Sequence, residues 1–485
     1  MTVTLIDLRD RARDWRNEYE RPVSDVFAVQ REITGDVANS LRATLSAREK
    51  SLLAERPTTD AVAYDLYLRS RQGPTLHSGP VELRRALRTR LALLEEAVSR
   101  DPNFLFAYCE IAEVHAELDF EKAEASPEER AIDHRALAEA ALHKARSLNP
   151  THGRVHLAQA NHLHMNVRDH AQARVELELA RRTLPNNARL EDLTAMVSRV
   201  EGRWDDAVRA ANRAAELQPR DAAILDNLVI INRALRRYEE ADRASERLLA
   251  VKREDERFFA RLLRAAGPLE QRADLNPLRE AIAAASPKND REAAHLHRFR
   301  VLYALCSREP DEVARALAAD PRPRINPYGF VYSRAWFEGL AARMRGDREA
   351  AHAAFGVARS EMHDLVDRSP GAARLISQLA LIDAGLGRKE EAVRGGQRAC
   401  ELMPVKKSAM VGPGVAVNLA AVYAWTDQPD QALALLDELV KGAASVCLMF
   451  QPSYGDLRLN PIWDPLRNDP RFDAIVARLA PAPPR

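Results

Sequence analysis

Apolar residues recur at i, i+3, i+4 and i+7 almost everywhere after residue 60, and no stretch there keeps the alternation of a strand. The pattern predicts an all-α body made of paired helices. The clearest pairs are 152–166 with 169–183, 188–201 with 204–217 around a Gly202-Arg203 turn, and two helices within 222–253, the second carrying Tyr238, Ala241 and Leu248. Further second helices start at Gly346-Asp347-Arg348-Glu349-Ala350-Ala351, at Gly387-Arg388-Lys389-Glu390-Glu391-Ala392, and at Asp430-Gln431-Ala432 with Leu436. The first of these continues through Phe355 and Ala358 and faces a helix with Trp336 and Gly339. Between 254 and 327 the periodicity persists without small residues at fixed places, which predicts helices of irregular length. Segment 121–127 reads as an insertion.

A second regularity overlies the first. Counting back from Pro150, Pro185, Pro219 and Pro404, the residue five earlier is Ala145, Ala180, Ala214 and Ala399, and twelve earlier it is Ala138, Ala173, Ala207 and Ala392. The first three prolines stand 35 and 34 residues apart, a period that belongs to stacked helix–turn–helix units. Ala195 and Ala207 are expected to face each other across the 202–203 turn, where a larger side chain would force the helices beyond their usual ~8–10 Å spacing.

Composition narrows the function. Hydrophobic residues make up 46% of the chain with 6% aromatics, as expected for helices packed through small contacts. Lys+Arg number 72 against 71 Asp+Glu, so a net charge of +1 offers no field to draw the chain onto nucleic acid or an anionic bilayer. No apolar run approaches the ~20 residues of a membrane span, and the first residues lack a signal peptide's apolar core, so a cytoplasmic protein is expected. Cys109, Cys306, Cys400 and Cys447 form no CxxC pair and read as reduced, mostly buried residues.

The alanine–alanine–proline spacing, with Gly-Asp/Arg-x-Glu-x-Ala opening second helices, resembles tetratricopeptide repeats (TPR) over residues 60–443. The resemblance implies a right-handed TPR-like α-solenoid of about ten helix pairs. At the start, Val3-Thr4-Leu5-Ile6-Asp7, Trp15-Arg16-Asn17-Glu18-Tyr19-Glu20-Arg21 and Ser24 to Ile33 look like the last hairpin of a TolB-like domain and the helix leaving it. Arg56-Pro57-Thr58-Thr59 and Ala63-Tyr64-Asp65-Leu66-Tyr67-Leu68-Arg69 resemble the opening of the TPR array in bacterial proteins of that kind, and Asn460-Pro461-Ile462-Trp463-Asp464-Pro465 to Phe472 resembles their closing motif. In that family these parts follow a class III adenylate/guanylate cyclase, a Ser/Thr kinase or a winged-helix domain.

The implied organisation is a remnant hairpin at 1–22, connecting helices at 23–57, the repeat array at 58–445, a capping segment at 446–480 and a disordered tail at 481–485. A two-stranded hairpin alone is marginal in water. Either the reading frame starts late, or residues 1–22 pair with another chain. Asp469 with Pro470 is placed to cap and start the last helix.

The chemistry of catalysis is missing from the sequence. A chain helical past residue 60 lacks the scaffold for a cyclase's paired metal-binding aspartates, and neither a phosphate loop nor the kinase motifs occur. Gly412-Pro413-Gly414 is a dense glycine cluster, but no strand precedes it, so it reads as a loop before a helix. His152, His156, His162, His164 and His170 are concentrated in one unit, and His152 and His156 have the i, i+4 spacing of a chelate. With no convincing third ligand, they read as a polar surface, and no metal or cofactor is expected.

Binding is the remaining class. Asn227 and Asn418 fall at the sixth position of their first helices, which in peptide-holding TPRs faces the concave groove. Arg199 and Arg233 fall at the twelfth. These four are the candidate partner-binding residues, with a hydrogen bond to a neighbouring repeat or solvent as the alternative role. The expectation is a non-enzymatic scaffold that holds a protein or peptide segment within a cyclase-associated signalling protein, with a possible homo-oligomer. The alternative is the interaction module of a winged-helix regulator or of a Ser/Thr kinase.

Overall fold

The computed structural model describes residues 2–5, 15–18, 32–33, 35–37, 55–71, 80–120, 126–325, 330–445 and 449–481. Most of the predicted connecting helices, part of the 121–127 insertion, Cys447 and nearly all of the tail lie outside these residues. The chain divides into two compact units, residues 1–185 and 186–485.

The first unit opens with an antiparallel hairpin, β1 (Thr2–Leu5) and β2 (Trp15–Glu18), in which Thr2 stands opposite Glu18 and Leu5 opposite Trp15. Three helix pairs follow. They are α1 (Ala61–Ser70) with α2 (Pro80–Arg100), α3 (Leu105–Phe120) with α5 (His134–Leu148), and α6 (Gly153–His162) with α7 (His170–Thr183). The single turn α4 (Pro127–Arg130) lies on the second connection, and α6 continues through a π-helical turn, Leu163–Val167. Side chains of Asp60, Asp133 and Asp169 accept hydrogen bonds from the first free amides of α1, α5 and α7, which fixes where those helices start. Tyr67, Leu94, Phe104, Val114 and Leu142 are buried between the pairs.

The second unit contains α8 (Ala188–Val200) with α9 (Trp204–Leu217) and α10 (Ala222–Ala234) with α11 (Tyr238–Val251). Next come the short, irregular α12 (Phe258–Ala265), α13 (Gly267–Arg272) and α14 (Asn276–Ala284). Regular pairs resume with α15 (Asp290–Cys306) and α16 (Pro310–Ala318), α17 (Arg334–Met344) and α18 (Arg348–Arg368), α19 (Ala373–Gly385) and α20 (Lys389–Leu402), and α21 (Gly412–Trp425) and α22 (Pro429–Lys441). The chain ends in α23 (Tyr454–Leu459), a 3-10 segment (Pro461–Leu466) and α24 (Pro470–Arg478). One buried apolar cluster runs from Ala188 to Ile475. Between α16 and α17 a two-residue ladder, β3 (Arg324–Ile325) with β4 (Tyr332–Ser333), interrupts the helical body, because Pro321, Pro323 and Pro327 remove helix donors over seven residues.

The proline-closed spacing has a direct physical basis. All eight of its alanines have zero exposure. The residue before each proline is disfavoured in the helical region, so the helix stops there. That residue donates the last bond to the carbonyl of the nearer alanine: Asn149 to Ala145 (3.2 Å), Leu184 to Ala180 (2.9 Å), Gln218 to Ala214 (2.8 Å) and Met403 to Ala399 (3.0 Å). One residue type thus serves close packing and termination together.

The turn inside seven of the hairpins needs a left-handed residue. Glycine supplies it at Gly202, Gly346 and Gly387, with φ of 75°, 75° and 74°. At the matching places Arg168, Arg236, Arg308 and Asp427 adopt φ of 64°, 56°, 61° and 56°, which costs ~1 kcal/mol or more for a residue with a Cβ. Gly339 answers a different demand. A Cβ there would lie 2.4 Å from the ring of Phe355, which is 1% exposed and wedged against Trp336 and Trp425 at 5.1 and 6.1 Å. Gly339→Ala is therefore expected to destabilise the second unit by ~1–3 kcal/mol in urea unfolding followed by tryptophan fluorescence. An unchanged midpoint would refute the close-approach argument.

Candidate functional site

The four candidate residues lie on first helices, and each bonds to a side chain or carbonyl of a neighbouring helix. Asn227 on α10 is 6% exposed; its Nδ2 donates to Asp192 Oδ1 on α8 at 2.9 Å, and its Oδ1 accepts from Arg199 Nη1. Arg199 is half-buried, and desolvation pulls its pKa below the ordinary value although Asp192 and Asp226 oppose that. Arg233 donates to Leu263 O at 3.1 Å and pairs with Glu270 of α13, which is 5% exposed. Asn418 on α21 is 1% exposed and donates to Ser377 Oγ on α19 at 3.1 Å. Arg199 and Asn227 share one set of bonds between α8 and α10, Arg233 makes a second to Leu263 O and to Glu270 of α13, and Asn418 makes a third with its own partner. As they stand, these bonds tie successive repeats in register, and a ligand reaches these side chains only by exchanging those partners.

A denser constellation, which sequence reasoning missed, surrounds the C-terminal segment. Residues 449–467 form a self-bonded module. Asn460 Nδ2 donates to Met449 O at 3.3 Å and to Asp456 Oδ1 at 2.8 Å, and Trp463 Nε1 donates to Asp456 Oδ2 at 2.9 Å. Arg467 donates to Leu457 O at 3.1 Å and to Asn460 O at 2.9 Å. These bonds explain the residue types in the closing motif: Asn460 also accepts from Ile462 N and starts the 3-10 turn. Helix α24 packs on α22 and begins at Pro470 with Asp469 as its N-cap.

The module is held by the left-handed turn residues. Arg236 donates to Gly442 O (2.6 Å), Leu439 O (3.4 Å) and Pro452 O (3.2 Å). Arg308 forks onto both carboxylate oxygens of Asp464 at 2.8 and 3.0 Å and reaches Leu459 O at 3.3 Å. Trp425 Nε1 donates to Ile462 O at 2.7 Å, and Phe450 meets the Tyr332 ring edge-on at 5.1 Å. A Cβ at Gly455 would lie 1.7 Å from the Leu269 carbonyl, so α23 abuts the α13 backbone with only a hydrogen between them. Backbone bonds complete the closure, from Ala409 N to Val200 O (2.9 Å) and from Ala444 N to Ala234 O (2.7 Å).

Burial governs the charges in this interior. It pushes the Asp456 carboxyl up to about 7, against the bonds from Trp463 and Asn460, and it raises Glu270 against the pull of Arg233. Burial also acts on Asp464, but there the bonds from Arg308 and Arg467 win and hold the carboxyl below its usual range.

The histidines of the first unit are committed elsewhere. His152 Nδ1 accepts from Arg154 N at 3.1 Å, so Nε2 carries the proton and donates to Glu55 at 2.9 Å; His156 pairs with Glu176 at 2.7 Å. The chelate spacing therefore joins no common centre. His115 meets His134 at 3.0 Å, and burial, then the neighbouring His134, lowers His115 to about 4. Among the described residues no group of three or more His, Cys, Asp or Glu is placed to hold a metal, and no helix is long and apolar enough to cross a membrane. Cys109 and Cys306 are buried free thiols with pKa values raised by desolvation.

No family model matches the chain. Over 58 residues it is 45% identical to "Putative adenylate cyclase 3" of Rhizobium meliloti (strain 1021), a stretch that is 12% of this chain and 10% of that protein. Among solved structures, PilW, described as a widely conserved type IV pilus biogenesis factor, is 15% identical with 49% of this chain and 99% of PilW covered, at a TM-score of 0.35. The human IFIT1 dimer with m7Gppp-AAAA is 14% identical with 77% and 76% covered, at 0.41. A tetratricopeptide repeat protein from Parabacteroides merdae is 12% identical with 67% and 97% covered, at 0.30. At these scores the likeness does not define this chain's arrangement, which follows from its own packing.

Two outcomes follow. Arg233→Ala leaves Glu270 buried without its cation and is expected to destabilise the second unit by ~3–5 kcal/mol in urea unfolding, and a loss below ~1 kcal/mol would contradict the pairing. Asp456 holds its proton in the folded state above its ordinary value of 3.8, so the stability it contributes is complete below about 3.8 and is lost as pH rises toward about 7. Asp456→Asn should accordingly gain on the native chain by up to ~1.4 kcal/mol per pH unit across that window. A stability difference independent of pH would show that Asp456 is ionised throughout.

Proposed function

We propose that the chain is a non-catalytic scaffold that binds a protein or peptide segment along the inner lines of its first helices, within a bacterial signalling protein of the cyclase-associated kind. The observation that supports this most is the recurrence of hydrogen-bonding side chains, Arg199, Asn227, Arg233 and Asn418, on first helices paired through buried alanines. A rigid frame with repeated polar groups suits recognition of an extended backbone, which exchanges its own amides and carbonyls for Asp192, Ser377 or Leu263 O. The balanced charge favours a protein partner over nucleic acid. The 58-residue similarity to a putative adenylate cyclase supports the signalling context, while cyclase activity belongs to that relative, of which this chain covers a tenth. We read β1 and β2 as the edge of a TolB-like domain in that context, and the protein as cytoplasmic.

Selection of a random peptide library on the full chain tests the reading. Selected peptides are expected to lose about tenfold or more in affinity with Asn227→Ala or Asn418→Ala and none with Arg209→Ala, whose side chain is 72% exposed. Failure to select any binder, or binders indifferent to all the inner substitutions, would overturn it.

A further inference from the structure

Two kinds of bond meet at the C-terminal segment, and they divide sharply. The bonds that shape residues 449–467 are internal: Asn460 to Met449 O and Asp456, Trp463 to Asp456, and Arg467 to Leu457 O and Asn460 O. The bonds that seat it come from outside, chiefly as side-chain donors on hairpin turns reading main-chain carbonyls. Arg236 takes Pro452 O as well as two carbonyls of the α22 end, Arg308 takes Leu459 O and the Asp464 carboxylate, and Trp425 takes Ile462 O. The segment thus carries a set of internal bonds separate from those that seat it, while Phe450, Ile462 and Trp463 anchor it in the apolar core.

The surface itself carries features of a recognition site. Two arginines sit in left-handed turns where glycine serves in three other hairpins, and both use their guanidinium on this segment. Such backbone strain persists where the surroundings over-determine it. Carbonyl reading by arginine, a carboxylate fork and an aromatic contact at Phe450 are the elements of peptide recognition. Glu270 accepts from Gln451 beside them.

We infer that the surface formed by Arg236, Leu269, Glu270, Arg308, Tyr332 and Trp425 is a peptide-binding site of the second unit, and that residues 449–466 are its intramolecular occupant. The ligand it fits is a peptide carrying, in order, an aromatic residue, a Gln-Pro step and a carboxylate, which competes with the chain's own segment. This rests on the scaffold reading above and adds a second, self-occupied site to it. Tethering gives the segment an effective concentration on the order of millimolar, so a free peptide at micromolar concentration is excluded until the docked state is weakened.

The test uses the full chain and a labelled synthetic peptide of residues 449–466. Arg236→Ala with Arg308→Ala removes the forks; Gly455→Ala drives α23 off the Leu269 carbonyl without touching them. Both chains are expected to speed amide exchange in 449–466 by about tenfold or more while α9, α11 and α20 stay protected. The Gly455→Ala chain, whose surface is intact, is expected to bind the peptide at least about tenfold tighter than the native chain, and the double arginine variant, which lacks part of the site, is expected to show no such gain. Exchange that rises evenly across 188–481, a peptide that binds the native and Gly455→Ala chains alike or binds neither, or one that binds the double arginine variant as tightly as the Gly455→Ala chain, would overturn the inference. If library peptides still bind the inner lines in that case, only the self-occupied site is lost; if none bind, the scaffold reading falls with it.

Discussion

Paired helices in this chain approach so closely that only a methyl group or a hydrogen fits between them at the contact points. Ala138, Ala145, Ala173, Ala180, Ala207, Ala214, Ala392 and Ala399 are fully enclosed, and Gly339 lies where any Cβ would strike the Phe355 ring. Because the interior is packed without slack, the small residue fixes the separation and angle of each pair, and the pair fixes where the next one lands. The proline five residues on ends the second helix on the nearer alanine's carbonyl, which sets the length of the unit. Register between successive pairs then falls to polar bonds such as Asp192–Asn227 and Ser377–Asn418.

The second unit adds a closure that the repeat rule alone does not require. Its first two hairpins accept backbone bonds from Ala409 and Ala444, and Arg236 grips carbonyls more than 200 residues further along the chain. A solenoid normally leaves its last apolar face to a capping helix, and α24 takes that place on α22. The residues just before α24 do something else: Trp463, Phe450 and Ile462 enter the common core, at 0–1% exposure. Buried carboxylates at Asp456 and Glu270 sit in that interior, held by tryptophan and asparagine in one case and by arginine in the other.

Much of the helical frame is legible in the sequence because its signals are local. The expected pairs at 152–183, 188–217 and 222–253 match α6 to α11 closely, since apolar period, cap and proline all act within a turn or two of the chain. The irregular stretch from 254 was visible as a loss of small residues. The short ladder of β3 and β4 was not, although the three prolines at 321, 323 and 327 carried a signal against helix. Docking of the C-terminal module was invisible for a different reason: Arg236 and Arg308 read as ordinary surface arginines until their turn conformation and distant carbonyl partners are seen together. Gly455 likewise has a meaning only beside the Leu269 backbone. The placing of Asn227 and Asn418 on first helices followed from periodicity, while their partners depended on the neighbouring repeat.

These features describe a frame in which alanine contacts give rigidity, polar bonds between first helices give register, and a docked module closes the second unit upon itself. The closure is the most specific part of the account, and it is measurable directly. Arg237 and Lys441 are exposed neighbours of Arg236 and Gly442, whose side chain and carbonyl meet although they lie 206 residues apart in sequence. Spin labels at cysteines replacing Arg237 and Lys441, measured by pulsed electron resonance in the full chain, should give one narrow distribution at the short end of the accessible range. A broad or long distribution, as an open array of hairpins would produce, would contradict the closure.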